Sequence, residues 1–180
     1  AIAAGPGSFT GLRIGSATAK GLGLALEKPL IHIPTLEGLA CNLCGIADVV
    51  CPIMDARRSQ VYTGIYRFQE HKLVTVEAQM AVPMAEMIEK LNARGEEVVF
   101  LGDGVPVFGK MIQENLKVPY SFAPAHVNKQ RAAAVAALGL IYYREGKTET
   151  AMEHVPDYLR VSQAERERAE REAAKADGNA

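Results

Sequence analysis

The sequence predicts an α/β protein made of two related units, the first of them incomplete, followed by a charged tail. Three observations carry that prediction. Short apolar runs alternate with longer stretches of helical period, separated by glycine- and proline-rich turns. Three consecutive runs rich in β-branched and aromatic residues gather in the middle of the chain. The element order read before them reappears after them.

Residues 1–4 read as the end of a strand, and 5–11 as a loop by their glycine and proline content. A helical pattern follows over 11–26 and stops at Lys28-Pro29, since proline disfavours helix in the residue before it. A short strand over 29–33 comes next. Thr35 is placed to cap a second helix that runs to Cys44, with Gly45 as its stop. Strands are expected over 49–54, 61–68 and 73–82, with turns at 55–60 and 69–72. Then come a helix (83–93), a strand (98–101), a helix (105–115), a short strand near Val118 and a long helix (129–144).

Three meandering strands followed by helix, strand, helix, strand, helix is the order of a ribonuclease H-like unit. The first 45 residues, strand–helix–strand–helix, match the closing half of the same unit. The expected organisation is therefore residues 1–46 as the closing half of a first ribonuclease H-like subdomain, 47–160 as a second, and 161–180 as a tail. The chain opens at Ala1 on a strand end, so opening strands are expected to be missing and the chain to self-associate through the open edge. In the tail, Ser162 with Glu165 resembles a capping box, and Arg166/Glu170, Glu167/Arg171 and Arg168/Glu172 sit four apart. That pattern suits a solvated helix.

Composition narrows the function. Twenty basic against twenty-one acidic side chains give a net charge of −1, which builds no basic face for direct nucleic-acid binding. No apolar run reaches the roughly 20 residues of a membrane span, and no leader pattern is present, so the expected setting is cytoplasmic, with no membrane partner. Three cysteines, all within 41–51, make no disulfide framework.

Several motifs offer chemistry. The loop Gly5-Pro6-Gly7-Ser8-Phe9-Thr10-Gly11 leads into a helix as a phosphate loop does. However, five residues separate its outer glycines, Leu12-Arg13 stands where Lys-Ser/Thr is needed, and Pro6 lacks an N–H. A tight strand-to-helix turn explains it better. Cys41 and Cys44 form a lone C-x-x-C at a helix end, where thiolate gains nothing from the helix, so packing thiols are expected. His32, His71, His126 and His154 show no ligand spacing. Asp55 with Arg57 and Arg58 reads as a stabilised turn. Gly102-Asp103-Gly104 either meets a nucleotide or starts the next helix. The most informative feature is Gly11, Gly15, Ala19 and Gly23, a small-residue stripe at four-residue spacing. Interior helical glycine costs about 0.5–1 kcal/mol relative to alanine, so another element must approach closely. Either the chain's own sheet or a partner's helix meets the stripe, with Leu12, Ser16 and Lys20 beside it.

The stretch Gly5–Gly15, then Ala19-Lys20-Gly21-Leu22, then Pro34-Thr35-Leu36-Glu37, closely resembles the signature of the TsaB (YeaZ) family. Asp55-Ala56-Arg57-Arg58 with Val61-Tyr62, then Gly102-Asp103-Gly104, then Pro156-Asp157-Tyr158-Leu159-Arg160 resemble its later landmarks. The resemblance implies the fold of the actin and hexokinase ATPase superfamily, two ribonuclease H-like halves. It also implies a role in placing threonylcarbamoyl on the adenosine beside the tRNA anticodon. The expected partners are a TsaD-like catalytic subunit and a TsaE-like ATPase, with tRNA met only through the complex and a homodimer as an option. The partner interface is expected at Phe9, Leu12, Gly15, Ser16, Ala19, Lys20, Gly23 and Leu39.

TsaD relatives carry metal-binding histidines in an N-H-x-E-G-H segment. Laid on residues 34–39, it places Thr35 and Leu39 at the histidine positions, and neither replaces imidazole at a metal. No metal and no catalytic residue are therefore expected. Asp55, Gly102, Asp103 and Gly104 are the candidate nucleotide contacts, yet Asp55-Ala56-Arg57 lacks the glycine of the superfamily's second phosphate loop, so no ATP is expected as cofactor. The rival readings are a glycoprotease-family metallopeptidase and a nucleotide-binding kinase-like module.

Overall fold

The structure, a computed structural model, describes residues 1–45 and 49–159. The tail predicted at 161–180 lies outside the described residues, as does the boundary predicted at 46/47. The elements are β1 (Ile2–Gly5), α1 (Phe9–Leu26), β2 (His32–Pro34), α2 (Thr35–Ala40), β3 (Val49–Asp55), β4 (Gln60–Gln69), β5 (Lys72–Pro83), α3 (Met84–Arg94), β6 (Val98–Leu101), α4 (Val105–Asn115), β7 (Tyr120–Phe122) and α5 (Ala132–Arg144). A 3₁₀ turn over Cys41–Leu43 continues α2.

Five strands form one sheet in the order β5-β4-β3-β6-β7. β3, β4 and β5 are an antiparallel meander, while β6 and β7 run parallel to β3. Strand period sorts their side chains onto two faces. Val49, Cys51 and Ile53 of β3, with Val98 and Phe100 of β6, pack under α3 and α4 against Met87, Leu91, Phe108 and Ile112. Val50, Val99 and Leu101 point the other way, into a second core with Leu36, Leu39, Ala40 and Leu43. This sheet is therefore covered on both sides, and near-continuous apolar runs in β3 and β6 are the sequence signature of that burial.

A second sheet holds β1 and β2 in parallel, with Ile2 opposite His32 and Ala3 opposite Ile33. The segment after α5 returns to it. Leu30 and Glu149 exchange backbone hydrogen bonds of 2.8 and 3.0 Å, and the Asp157 N–H donates to the Ala4 carbonyl at 2.7 Å. Tyr142 of α5 donates to Glu37 of α2, tying the helix above the small sheet to the one between the sheets.

At two of the helix starts that differ from the expectation, a hydrogen bond gives the reason. α1 begins at Phe9 rather than Gly11, because Ser8 is its cap and accepts from the Gly11 N–H at 3.4 Å. Thr35 is not a cap: it is the first residue of α2, and its buried hydroxyl accepts the Gly5 N–H at 3.1 Å. That bond closes the end of β1 against the start of α2.

Candidate partner interface

The loop before α1 is shaped by packing. Gly5 has φ +127°, and a Cβ there would stand 2.3 Å from the Asp157 carbonyl oxygen, so only glycine fits. Pro6 is buried behind it. The loop thus serves the returning segment rather than an anion.

α1 answers the question of the small-residue stripe residue by residue. The stripe winds around the helix, since four residues advance 400° rather than 360°. Gly23 is buried, and a Cβ there would sit 3.1 Å from Leu30 Cδ2 and from the Lys28 carbonyl oxygen, and 3.4 Å from Ala151. Ser16 is also buried, with Oγ 3.0 Å from His154 Nε2, and Lys20 Nζ donates to the His154 carbonyl at 2.9 Å. Gly15 meets only Ile2 Cδ1, at an ordinary 3.7 Å. Gly15, Thr18, Ala19 and Leu22 form one wall of an open groove of about 720 Å³, with β1 as its floor and the start of α5 opposite. Leu22 of that wall is 58% exposed, and beyond the groove α1 presents Ile14, 64% exposed. Phe9 is exposed at the start of the helix, with the Arg13 guanidinium 4.0 Å above its ring and Tyr158 5.4 Å away.

Three of the predicted interface residues are corrected by this geometry. Ser16 and Gly23 are filled in by the chain's own His154, Leu30 and Ala151, and Leu39 is fully buried among Leu36, Val50 and Tyr66. None of the three has a side to offer. Phe9 is exposed and Leu12, Gly15 and Ala19 are partly exposed, whereas the partly covered Lys20 has its ammonium held on the inner side by the His154 carbonyl. Ile14 and Leu22, absent from the prediction, are among the large apolar side chains that α1 exposes. Their bulk hid them, because large aliphatic residues in a helix are ordinarily assigned to a core.

The positions matching the metal ligands of the TsaD motif are equally closed. Thr35 is bonded to Gly5, and Leu39 sits in apolar core. The candidate nucleotide contacts do converge: the Asp55 N–H donates to Asp103 Oδ1 at 3.3 Å, beside Gly102 and Gly104. The amides of Asp55, Gly102 and Gly104 are already used. The Gly102 N–H donates to Asn128, Gly104 to the Ile53 carbonyl, and Arg57 to Asp55 Oδ1. Gly102 has φ +111° and lies against β3, where a Cβ would fall 2.1 Å from the Ile53 oxygen. These glycines let the backbone of the β6–α4 turn touch β3, and the two carboxylates beside them repel phosphate.

Cys41, Cys44 and Cys51 are free thiols. Burial pushes Cys41 and Cys51 up to about 12, which keeps both as protonated packing groups. The histidines are less scattered than their spacing suggests. His32 and His154 stand with ring centroids 5.7 Å apart, with Glu149 Oε1 facing both rings and Asp157 bonded to the other nitrogen of His32. A separation of more than a hundred residues along the chain, spanned only once the last segment pairs with β1 and β2, left no local signal for it.

Comparison with known proteins fits this architecture. The family model described as "TsaD: tRNA N6-adenosine threonylcarbamoyltransferase" matches residues 1–168. The Bacillus subtilis tRNA threonylcarbamoyladenosine biosynthesis protein TsaB is 36% identical over 164 residues, covering 91% of this chain and 70% of that protein. The Escherichia coli protein of the same name is 34% identical over 161 residues, covering 87% and 68%. A solved structure from Pseudomonas aeruginosa, described as similar to peptidase YEAZ, superposes with a TM-score of 0.72 at 24% identity, covering 87% of this chain and 70% of that one. The fold is the actin-like, ribonuclease H-like ATPase type. Among the described residues no helix is long and apolar enough to cross a membrane.

Proposed function

The chain belongs to the TsaB (YeaZ) family of tRNA threonylcarbamoyladenosine biosynthesis proteins, and from that premise we propose that it is a non-catalytic scaffold subunit of this tRNA modification. It docks a TsaD-like catalytic subunit through the open face of α1, in the cytoplasm, and meets the TsaE-like ATPase and tRNA only within that assembly. One observation carries the reading: Ile14 and Leu22 stand exposed beside Gly15 and Ala19, a knob-and-gap surface on a helix that the described residues leave uncovered. A TsaD-like partner suits it because the two share one family model. A partner with the same fold presents the equivalent helix, and two such helices pair as related surfaces do in a two-fold dimer. The absence of chemistry is part of the proposal: Thr35 and Leu39 leave nothing to ligate the metal of the catalytic relatives, and the amides around Asp103 leave no phosphate cradle.

The test is Ala19→Leu. A bulky side chain in a fitted contact costs about 1–3 kcal/mol, which is roughly a 5- to 150-fold loss of affinity. Binding to the TsaD-like partner, measured by titration calorimetry, should weaken by that factor while the melting transition stays in place. Ala93→Leu, on the exposed side of α3, should change neither. A fall in melting temperature with affinity per folded molecule intact would assign Ala19 to the core. Metal-dependent transfer activity from the isolated chain, lost with chelator and restored by zinc or iron, would overturn the scaffold reading.

A further inference from the structure

The returning segment brings together a set of donors that no part of the scaffold role uses. We propose that His32, Glu149 and His154 form a site for one divalent transition-metal ion of the zinc type. His154 Nδ1 lies 2.5 Å from Glu149 Oε1, and His32 Nδ1 faces the same oxygen at 3.7 Å, beyond hydrogen-bond reach. One ligand atom from each residue lies within 4.8 Å of the others. Bonds of roughly 2.0–2.1 Å in a tetrahedral zinc site separate ligand atoms by about 3.3 Å. The His32–Glu149 distance is already close to that, and His154 and Glu149 need only part as the ion replaces the proton between them.

The outer contacts are those of a ligating pair. A metal-binding imidazole has its second nitrogen held by a carboxylate or other polar group, which fixes the ring. Here His32 Nε2 is 3.0 Å from Asp157 Oδ2, and His154 Nε2 is 3.0 Å from Ser16 Oγ. His154 is 1% exposed, so its ring is locked by packing as well. The backbone fixes all three donors: His32 lies on β2, Glu149 is bridged to Leu30, and the His154 N–H is bonded to the Thr150 carbonyl at 3.1 Å. Two imidazoles and one carboxylate suit zinc, cobalt or nickel, and not the oxygen-only sets of calcium and magnesium. Three protein ligands leave a fourth position to water. The site is separate from Thr35 and Leu39, and the ion would clamp the segment 149–157 beneath α1, on the side opposite its open face.

The experiment uses the full chain after chelator treatment. Cobalt(II) is titrated while the visible d–d absorption is followed, and zinc affinity is measured by competition with a chromophoric indicator. One ion per chain is expected, with a tetrahedral cobalt spectrum and a rise in melting temperature on adding zinc. His32→Ala should abolish stoichiometric binding. Asp157→Asn, which keeps the backbone bond to Ala4, should weaken it roughly 10- to 100-fold. The double variant Cys41→Ser/Cys44→Ser should bind as the parent does. No stoichiometric binding by the folded parent chain overturns the proposal. So does binding that is unchanged in His32→Ala, or binding lost with the cysteines. Should His32→Ala fail to fold, Asp157→Asn decides: unchanged affinity there refutes the site. Partner binding enters none of these readouts, so the outcome is independent of the scaffold proposal.

Discussion

Helices α1 and α2 dispose of their apolar residues in opposite ways. α2 is six residues long and buries Thr35, Leu36, Gly38, Leu39 and Ala40. α1 is eighteen residues long, and its buried residues are Ser16 and Gly23. The longer helix is also the one that leaves Ile14, Leu22, Leu24 and Leu26 more than half exposed. Position explains the difference. α2 is wedged between the two sheets, so both its sides meet apolar strands. Among the described residues α1 rests on β1 of a two-stranded sheet and on the returning segment, and the residues it turns inward are small or polar because a returning backbone and a histidine ring press against them. An apolar helix so placed is either unstable alone or made to be covered, and under the scaffold proposal its cost in the free chain is recovered on binding.

That contrast can be broken most sharply at Leu39, which sequence alone put on the interface. Leu39→Ala should destabilise the chain by about 2–5 kcal/mol, the range for deleting a buried leucine side chain. Urea denaturation reads the loss directly. An effect under about 0.5 kcal/mol, the range of surface substitutions, would place Leu39 outside the core and return it to the interface.

Gly23→Leu is expected to have a smaller effect. A side chain there meets Leu30 Cδ2 and the Lys28 carbonyl, both at 3.1 Å from the first added carbon. The leucine can move by a few tenths of an ångström, while the Lys28 carbonyl is main chain, tied back to the helix by the Lys28 N–H bond to the Gly23 carbonyl at 3.0 Å, and moves less readily. Overpacking of this kind costs about 1–3 kcal/mol. The melting temperature should fall, with partner affinity per folded molecule unchanged. This is the reverse of Ala19→Leu, although both positions belong to one stripe in the sequence.

The comparison also marks what the sequence could disclose. The five-stranded unit was legible element by element, because 49–53 is a short near-continuous apolar run, as in a strand buried on both faces, and because polar runs at 55–60 and 69–72 and the glycines Gly95, Gly102 and Gly104 mark its turns. Its boundaries moved by a few residues only where a cap was misassigned, as at Thr35, or where a loop delays the element, as before β7 and α5. The inner side of α1 was not legible. The helix is apolar or small almost all round, so periodicity names no face. Its orientation is set instead by His154, 138 positions away from Ser16. The histidine–carboxylate cluster was hidden for the same reason: its members meet only through the Leu30–Glu149 bridge and the bond between Asp157 and Ala4.

The smallest expected change in stability comes from the open face itself. In the double variant Ile14→Ser/Leu22→Ser, both side chains are more than half exposed, and neither belongs to the two cores of the large sheet. Each substitution should shift unfolding by no more than about 0.5 kcal/mol. Serine is a slightly poorer helix former than leucine, so a drop within that range is expected. Partner affinity should fall much further, since burying a leucine or isoleucine side chain is worth about 1.5–3 kcal/mol, or roughly tenfold or more per side chain. Unlike Ala19→Leu, which acts by sterics, this variant removes apolar area and leaves the gap open. Agreement between the two therefore tests the fit and the driving force separately. If the double variant lost several kcal/mol of stability with affinity per folded molecule preserved, the face of α1 would be covered by the chain's own fold, and the contrast with α2 would collapse.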